Sequence, residues 1–250
     1  MRNNVQVIPV KLKEDVSAND NLAKLLISSI KKQGQQLQNG DILVIAHKIV
    51  SKAEGRTVDL RGVKASKRAI AIGKRHAKDP RVVELILKES KRIVKMKRGV
   101  IIVETKHGFV CANAGIDQSN VYGYRVALLP VNPDRSAGII RAEIKKRTGK
   151  NVAVIITDTF GRPFREGQVD FAIGISGLKP IKDYRGLKDM FGKELKVTEI
   201  AVADEIASAA ELVMGKFDRI PATIIRGCRY ENKQGSAKEL IRKREKDFFR

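Results

Sequence analysis

The sequence is poor in residues that mark several common protein classes. It has no tryptophan, only three histidines and only two cysteines, Cys111 and Cys228, which form no Cys-X-X-Cys pair. This cysteine content argues against a disulfide scaffold and a cysteine-based zinc site, and it predicts two reduced thiols in a cytoplasmic protein. Aromatic residues make up only 5% of the chain, so stacking platforms for single-stranded bases are scarce.

Long apolar runs and several familiar motifs are also missing. No apolar run approaches the roughly 20 residues that a membrane-spanning helix needs, and no apolar core follows Met1 and Arg2 as in a signal peptide. The sequence therefore predicts a soluble protein. It contains no GxxxxGK[ST] phosphate loop, no GxGxxG at a strand–helix junction and no GxSxG elbow, so it indicates neither common nucleotide fold nor a serine hydrolase.

Positive charge is the most pronounced feature that is present. Fifty Lys and Arg residues stand against 28 Asp and Glu, which gives a net charge of +22 over 250 residues. The excess suggests a nucleic-acid-binding protein, but it is spread along the chain and mixed with acids. Its densest stretch, Lys88–Arg98, is patterned like a solvated amphipathic helix. Anionic small substrates explain the balance equally well, so both alternatives remain open.

Apolar runs and turn residues predict a mixture of strands and helices. The predicted strands are Val5–Val10, Ile42–Ala46, Gly99–Glu104, Phe109–Ala112, Arg125–Val131, Val152–Ile156, Gln168–Ser176 and Ile220–Ile225. The predicted helices are one that begins at Ser17 or Asn19, Ala65–His76, Pro80–Lys97, one from Asp134 or Ser136 to Gly149, Thr198–Met214 and Ser236–Phe249, with a loop at Lys182–Leu195. Without strict βαβ alternation or a clear linker, this order favours an α+β fold in which any second lobe is interleaved.

The stretch Val152–Gly167 carries the clearest chemical signal. A buried strand, Val152–Ile156, is followed by Thr157, Asp158 and Thr159, and then by a predicted loop with Arg162 and Arg165. Hydroxyl and carboxylate oxygens suit Mg²⁺ or Mn²⁺, while arginines suit phosphate or carboxylate groups. A plain turn capped by Asp158 explains the stretch equally well.

Two further strand ends are polar. His47, Lys48, Ser51 and Lys52 follow Ile42–Ala46, and Asp117 and Asn120 lie in the small-residue stretch "CANAGIDQSNV". Taken singly, His47 fits an ordinary hydrogen-bonded histidine and Asp117 an Asx-rich turn. Taken together, the distant carboxylates and their accompanying cations favour metal-assisted chemistry on an anionic substrate, with phosphoryl transfer as the leading reaction class.

Several segments resemble one known family. In chain order they are "GDILVIAHKIVSKAEGR", "VCANAGIDQSNV", "LLPVNPDRSA", "VIITDTFGRPFREGQVDFAIGISG", "KDYRG", "ADEIASAAELVMG" and "IPATIIRG". Their order and wording resemble the coenzyme F(420)-0:γ-glutamyl ligase family over nearly the whole chain. The pairing of "NAGID.SN" with "ITDTFGRPFR.G" is far more specific than a lone glycine motif.

The resemblance implies an enzyme that joins L-glutamate to the deazaflavin F(420)-0 with cleavage of GTP, and then adds a second glutamate through a γ-glutamyl link. It implies a single ligase domain over residues 1–250, built as a two-part α+β architecture in an intertwined homodimer. It also implies Mn²⁺ or Mg²⁺, taken here as two ions, with K⁺ as a helper. A related amide ligase with another acid substrate remains an alternative.

Residue roles follow from the same resemblance. Asp117, Asp158 and Thr159 are the implied metal contacts, and the implied nucleotide contacts are Val10, Lys11, Leu12, Lys13, His47, Lys48, Lys52 and Asn120. Arg162 and Arg165 are further catalytic candidates, chosen on charge and position. Lys216 stands where the family often has Gln or Glu, and a protonated lysine cannot ligate a metal. The expected mechanism activates a carboxylate as an acyl phosphate.

Overall fold

The computed structural model describes residues 4–248 as a mixed α+β protein. Its strands are β1 Gln6–Val10, β2 Ile42–Ala46, β3 Thr57–Asp59, β4 Ser90–Lys97, β5 Val100–Thr105, β6 Val110–Ala112, β7 Arg125–Ala127, β8 Ala153–Arg162, β9 Arg165–Ser176, β10 Lys182–Asp183, β11 Glu199–Ile200 and β12 Ala222–Arg226. Its α-helices are α1 Leu22–Lys32, α2 His47–Ala53, α3 Lys67–His76, α4 Pro80–Glu89, α5 Pro133–Thr148 and α6 Val202–Met214. The expected α+β class is confirmed.

A five-stranded sheet in the order β1-β12-β2-β8-β9 organises the larger core. Its middle strands are almost wholly apolar, and β2 and β8 pair in parallel while the other neighbours are antiparallel. Helices α5 and α6 both pack on β9, and α1 packs on α5. The apolar run of β2 is buried from Ile42 to Ile45, as expected for a strand covered on both faces.

A second apolar cluster forms around the three-stranded sheet β4-β5-β6. Val83 and Ile86 of α4 pack there with Ile101 and Val103 of β5, and all four are at most 1% exposed. Strands β3 and β7 pair beside them, and Val126 of β7 joins the same cluster. Residues 4–248 thus form two hydrophobic clusters, while the division into two interleaved lobes and the homodimer stay predictions.

The basic stretch after Pro80 corrects one expectation. Helix α4 ends at Glu89, and Ser90–Lys97 forms strand β4 instead of continuing the predicted helix. Arg98 and Gly99 both have positive φ, of 47° and 79°, and Lys97 pairs with Val100 across them. Two successive residues with positive φ make the tight turn of a β-hairpin, and this turn couples the basic strand to β5.

The stretch after Ile156 corrects a second expectation. Strand β8 does not stop at Ile156 but continues through Asp158 to Arg162, with a shift of register at Thr157. The predicted loop is a β-hairpin in which Arg162 pairs with Arg165. Pro163 followed by a positive φ of 62° at Phe164 has the pattern of a type II turn.

The end of the chain corrects a third expectation. The predicted helix Ser236–Phe249 is replaced by two short 3₁₀ turns, Ala237–Leu240 and Arg244–Lys246, and Phe249 lies outside the described residues. The Ser236 hydroxyl donates to Asp134 at the start of α5, which ties this segment to the core. Four basic residues among the five from Arg242 to Lys246, with Arg242 and Lys246 four positions apart, disfavour a longer helix.

Other boundaries shift by a few residues. Helix α1 begins at Leu22, after an Asn21 cap that accepts from the Lys24 N–H, and α6 begins at Val202. The predicted strand Arg125–Val131 is regular only to Ala127, and the predicted loop Lys182–Leu195 begins with the two-residue strand β10. None of the helices within residues 4–248 is long and apolar enough to cross a membrane.

Candidate active site

The parallel pairing of β2 and β8 brings two of the polar strand ends together. Ala46, the last residue of β2, pairs with Thr157 of β8, so His47 and Asp158 follow at the same position along the sheet. His47 begins helix α2, and its Nε2 atom lies 3.3 Å from Asp158 Oδ1. The Thr159 N–H also donates to Asp158 Oδ1, at 2.8 Å, and fixes the carboxylate.

The loop after β6 delivers the second carboxylate. Asp117 exchanges two backbone hydrogen bonds with Ala127, which anchors the loop beside β7. Its Oδ2 atom lies 2.8 Å from Lys48 Nζ on α2, and its Oδ1 accepts from the Ser119 N–H. Burial alone would raise the pKa of Asp117, but the Lys48 ammonium and the Ser119 donors outweigh it and lower the pKa. Asp117 is therefore held as an anion.

Both carboxylates line one cleft of about 720 Å³. The expected convergence of Asp117 and Asp158, which are 41 positions apart, is thus found within one chain. Of the residues assigned to the site from the sequence, eight line this cleft: Leu12, His47, Lys48, Lys52, Asp117, Asn120, Asp158 and Thr159. The cleft therefore unites the end of β2, the second half of β8 and the loop after β6 with the segment after β1.

The remaining five residues assigned to the site lie outside the cleft lining: Val10, Lys11, Lys13, Arg162 and Arg165. Val10 is buried in β1, while the carbonyls of Lys11 and Lys13 accept hydrogen bonds from Ser29 and Arg219. Arg162 and Arg165 flank the turn of the β8–β9 hairpin, where Arg162 Nη2 donates to the Glu166 carbonyl at 2.7 Å. Roles for these five in binding or catalysis stay predictions.

Asp170 is a cleft residue that the sequence analysis missed. It lies opposite Thr159 across the β8–β9 hairpin and accepts from the hydroxyls of Thr157, at 2.9 Å, and Thr159, at 2.7 Å. Burial raises the pKa of Asp170 despite these two hydrogen bonds. The sequence offered one signal, a charged residue inside an otherwise apolar strand, but only the register of the hairpin reveals its partners.

Helix α6 and the loop after it contribute further charges that were not anticipated as a group. Glu211, Lys216 and Arg219 all line the cleft, and Lys216 Nζ lies 3.1 Å from Glu211 Oε1. Two further lining residues, Lys52 and Asp15, form an ion pair, with Lys52 Nζ 2.6 Å from Asp15 Oδ1. The cleft therefore mixes carboxylates that suit cations with ammonium and guanidinium groups that suit phosphates.

The aromatic residues Tyr122 and Phe217 mark the rim of the cleft. Both line it, yet they are 93% and 94% exposed. Their loops are joined by a 3.4 Å hydrogen bond from Asn120 Nδ2 to the Lys216 carbonyl. The rim thus offers flat apolar rings beside a charged interior.

The loop before Asp117 has unusual backbone geometry. Asn113, Ala114 and Gly115 have positive φ values of 54°, 57° and 68° in succession. A Cβ atom on Gly115 would lie 2.8 Å from the buried side chain of Leu129, so this position requires glycine. Strained backbone of this kind persists only where the surrounding structure fixes it, and it occurs most often at functional sites.

The donor set fits a hard cation only with help from substrate or water. Residues 4–248 contain no group of three or more His, Cys, Asp or Glu side chains placed to hold a metal ion. Asp117, Asp158 and Thr159 nevertheless offer carboxylate and hydroxyl oxygens to one cleft. Mg²⁺ is usually held in this way, by one or two carboxylates together with substrate phosphates and waters.

Comparison with known proteins identifies the family to which this chain belongs. The family model for F(420)-0:gamma-glutamyl ligase matches residues 11–227. A Coenzyme F(420):L-glutamate ligase of Methanocaldococcus jannaschii is 53% identical over 215 residues, which is 86% of each chain. The protein of the same name from Methanothermobacter thermautotrophicus is 50% identical over 94% of each chain, and that of Methanopyrus kandleri is 45% identical over 98% of each. The chain belongs to the F(420)-0:gamma-glutamyl ligase family.

Proposed function

We propose that this protein is a GTP-dependent ligase that joins L-glutamate to coenzyme F(420)-0 in coenzyme F(420) biosynthesis. We further propose that it adds a second glutamate through the γ-carboxylate of the first. Family membership and the names of the relatives support the ligase activity. The observation that carries the proposal is the convergence of Asp117 and Asp158 in one cleft with Lys48 and Lys52.

The chemistry requires activation of a carboxylate. Its negative charge is delocalised and its leaving group would be oxide, so an amine does not attack it directly. In the proposed first step a carboxylate oxygen of the substrate attacks the γ-phosphorus of GTP, and GDP leaves. The glutamate amine then attacks the carbonyl carbon of the acyl phosphate, inorganic phosphate leaves, and the nitrogen loses a proton to give the amide.

The cleft residues have distinct roles in this scheme. Asp117, Asp158 and Thr159 would hold two divalent ions, Mn²⁺ or Mg²⁺, which supply positive charge to the phosphate oxygens when bound. Lys48 and Lys52 form ion pairs with carboxylates in the cleft, and their flexible side chains can bring the ammonium groups to phosphate oxygens. His47, Leu12 and Asn120 are proposed as further nucleotide contacts. We retain K⁺ as a proposed helper ion.

Arg162 and Arg165 enter this scheme differently. They are proposed to contact the phosphate or carboxylates of the substrate, yet neither lines the cleft of the same chain, although the adjacent pair Gly161 and Gln168 does. The proposed homodimer would reconcile these positions if the hairpin of one chain reaches the cleft of the other. Replacing both arginines with glutamine then raises the KM for F(420)-0 more than the KM for GTP.

Mass spectrometry tests the proposal directly. F(420)-0 is incubated with the protein, L-glutamate, Mn²⁺ and either GTP or ATP, and products with one and two added glutamates are measured. We expect both adducts with GTP and their loss in Asp158→Ala. Absence of any glutamyl adduct from the wild-type protein would defeat the proposal, and equal rates with ATP would remove its preference for GTP.

The net charge of +22 keeps one alternative open, a basic nucleic-acid-binding protein. Thermal shift separates the two functions. Stabilisation by GTP with Mn²⁺ supports the ligase, because a ligand that binds only the folded state raises its stability. Stabilisation by random DNA or RNA that disappears with added salt would support the alternative.

A further inference from the structure

Lys216 lies among oxygen atoms at one end of the cleft. It follows Gly215, the residue that ends α6. Its Nζ atom lies 3.1 Å from Glu211 Oε1 and donates to Thr159 Oγ1, also at 3.1 Å. Thr159 Oγ1 in turn donates to Asp170 Oδ1 at 2.7 Å. One ammonium thus connects two acidic residues through direct contact and through a shared hydroxyl.

The electrostatics of this cluster depend on the ammonium. Asp170 is buried and accepts from Thr159 Oγ1, and that same hydroxyl oxygen accepts from the Lys216 ammonium. Two carboxylates and a hydroxyl are also the ligands that Mg²⁺ and Mn²⁺ prefer. Without a cation nearby, the negative charges of Asp170 and Glu211 would be poorly compensated.

We propose that Lys216 is a built-in cation, which gives Asp170 and Glu211 the positive charge that a metal ion additional to those proposed at Asp117, Asp158 and Thr159 would otherwise supply. This inference rests on the proposed function for its purpose, since the same ammonium faces the cleft in which the triphosphate is proposed to bind. A lysine ammonium is fixed to the chain and cannot be removed by a chelator. The wild-type cleft therefore takes up one divalent ion fewer than a cleft with a neutral side chain at this position.

To compensate charge in the cleft, the Lys216 side chain must be able to change its contacts. The Lys216 side chain is 53% exposed, so it can exchange its contact with Glu211 for a phosphate oxygen. Its backbone contacts the loop that carries Asp117, because the Lys216 carbonyl accepts from Asn120 Nδ2 at 3.4 Å. Position is thus set by the main chain, and charge is delivered by the flexible side chain.

Counting bound Mn²⁺ tests the inference without any substrate. MnCl₂ is titrated, as the only added ligand, into the wild-type protein, Lys216→Gln and Lys216→Arg. Electron paramagnetic resonance measures the Mn²⁺ that remains free, and the bound number follows by difference. We expect Lys216→Gln to bind one more Mn²⁺ per chain than the wild type, because its amide oxygen joins the freed carboxylates. Lys216→Arg keeps the charge and should keep the wild-type count.

Lys196→Gln is the matched control, since Lys196 is exposed and outside the cleft lining. Equal counts in the wild type and Lys216→Gln, or an equal gain in Lys216→Arg, would overturn the inference. Circular dichroism and cooperative melting of each variant confirm that the counts come from folded protein. The ligase assay on the same preparations tests the proposed function separately, so failure of one is distinguished from failure of the other.

Discussion

At the scale of single residues, Asp117 and Asp170 show how neighbouring carboxylates acquire opposite character. Asp170 is buried and Asp117 is partly buried, and burial acts to raise the pKa of each. Lys48 and Ser119 reverse that effect at Asp117, whereas the hydroxyls around Asp170 do not reverse it. Asp117 is thus suited to hold a cation throughout the neutral range, while Asp170 depends on positive charge brought close to it.

Asp117→Asn is expected to lower kcat/KM for glutamate ligation by about 100- to 1,000-fold, the usual effect of removing one aligned electrostatic group. The substitution removes a negative charge at nearly constant volume and leaves Lys48 without its carboxylate. Steady-state rates measured by mass spectrometry provide the test. Asp59→Asn, in an exposed pair with Arg61 outside the cleft, should keep near wild-type rates. Equal rates in the two variants would contradict the role of Asp117.

The buried thiol of Cys111 should lower the free energy of unfolding at high pH. Burial, with a contribution from Asp158, raises the pKa of its thiol from 9.0 to about 12. A raised thiol pKa means that the unfolded chain loses this proton first, so stability is full below pH 9 and falls as pH rises toward 12. At one unit above the unfolded pKa the loss is about 1.4 kcal/mol.

Urea unfolding at pH 8 and pH 10 measures this loss. Cys111→Ala should lose less stability between these two pH values than the wild type, whereas Cys228→Ala should behave more like the wild type because that thiol is only half-buried. The same loss in all three proteins would assign the alkaline instability to other groups.

The candidate site was predictable where chemistry follows a strand in sequence. Asp158, His47 and Lys48 could each be placed directly after an apolar run, and the parallel pairing of those two runs brings them together, although β8 itself continues past Asp158. Asp170 and Glu211 could not be found in this way. The contact of Asp170 with Thr159 depends on the register of the hairpin, and the position of Glu211 in the cleft depends on the packing of α6 on β9, which no local pattern encodes.

At the scale of elements, turn chemistry explains the main differences between expectation and structure. The helix expected to reach Lys97 ends at Glu89, and the strand expected to end at Ile156 continues to Arg162. Each difference lies next to a tight hairpin, at Arg98-Gly99 and at Pro163-Phe164. In both places the turn residues favour pairing of the two flanking strands. This preference outweighed the helical spacing of apolar residues before Lys97 and the glycine and proline that follow Ile156.

Gly115→Ala tests the strained loop that delivers Asp117. The new Cβ would lie 2.8 Å from Leu129, and the positive φ of 68° disfavours any side chain. We expect a loss of about 1–3 kcal/mol in the free energy of unfolding, together with weaker Mn²⁺ binding. Urea unfolding and Mn²⁺ titration measure the two effects.

Gly62→Ala is the control for this loop. Gly62 has no positive φ, and its Cβ would contact nothing within 4 Å. It should change stability by less than about 0.5 kcal/mol. An unchanged stability and Mn²⁺ affinity in Gly115→Ala would show that the loop tolerates the change and is not a rigid support for Asp117.

At the scale of the whole molecule, basic residues occur all along the chain, but half of the net positive charge lies in one segment outside the cleft lining. Residues 61–98 contain 14 Lys and Arg against 3 Asp and Glu, whereas the cleft mixes both signs. Most of this segment belongs to α3, α4 and β4 around the second apolar cluster. The net charge of +22 is therefore a property of the protein surface more than of the site.

The surface between β10 and β11 supports the proposed homodimer. Leu187, Met190, Phe191 and Val197 are all more than half exposed there. We call residues 182–200 the arm. It holds five Lys and Arg and four Asp and Glu, so two copies of it can meet without the repulsion expected between the more basic parts of the surface.

Sedimentation measures the effect of this arm on assembly. The wild-type protein should sediment at about twice the chain mass of 27.8 kDa, and a Met190→Glu/Phe191→Glu variant at the mass of one chain. Ile139→Glu provides a control at another exposed apolar residue. A monomeric wild type, or a variant that remains dimeric, would contradict dimerisation through the arm.

Anomalous diffraction from crystals grown with Mn²⁺ and a non-hydrolysable GTP analogue tests the central claim most directly. The account predicts Mn²⁺ peaks in the cleft that contact the carboxylates of Asp117 and Asp158, with the triphosphate beside Lys48 and Lys52. A nucleotide bound in another part of the molecule, or a filled cleft in which neither carboxylate contacts Mn²⁺, would contradict it.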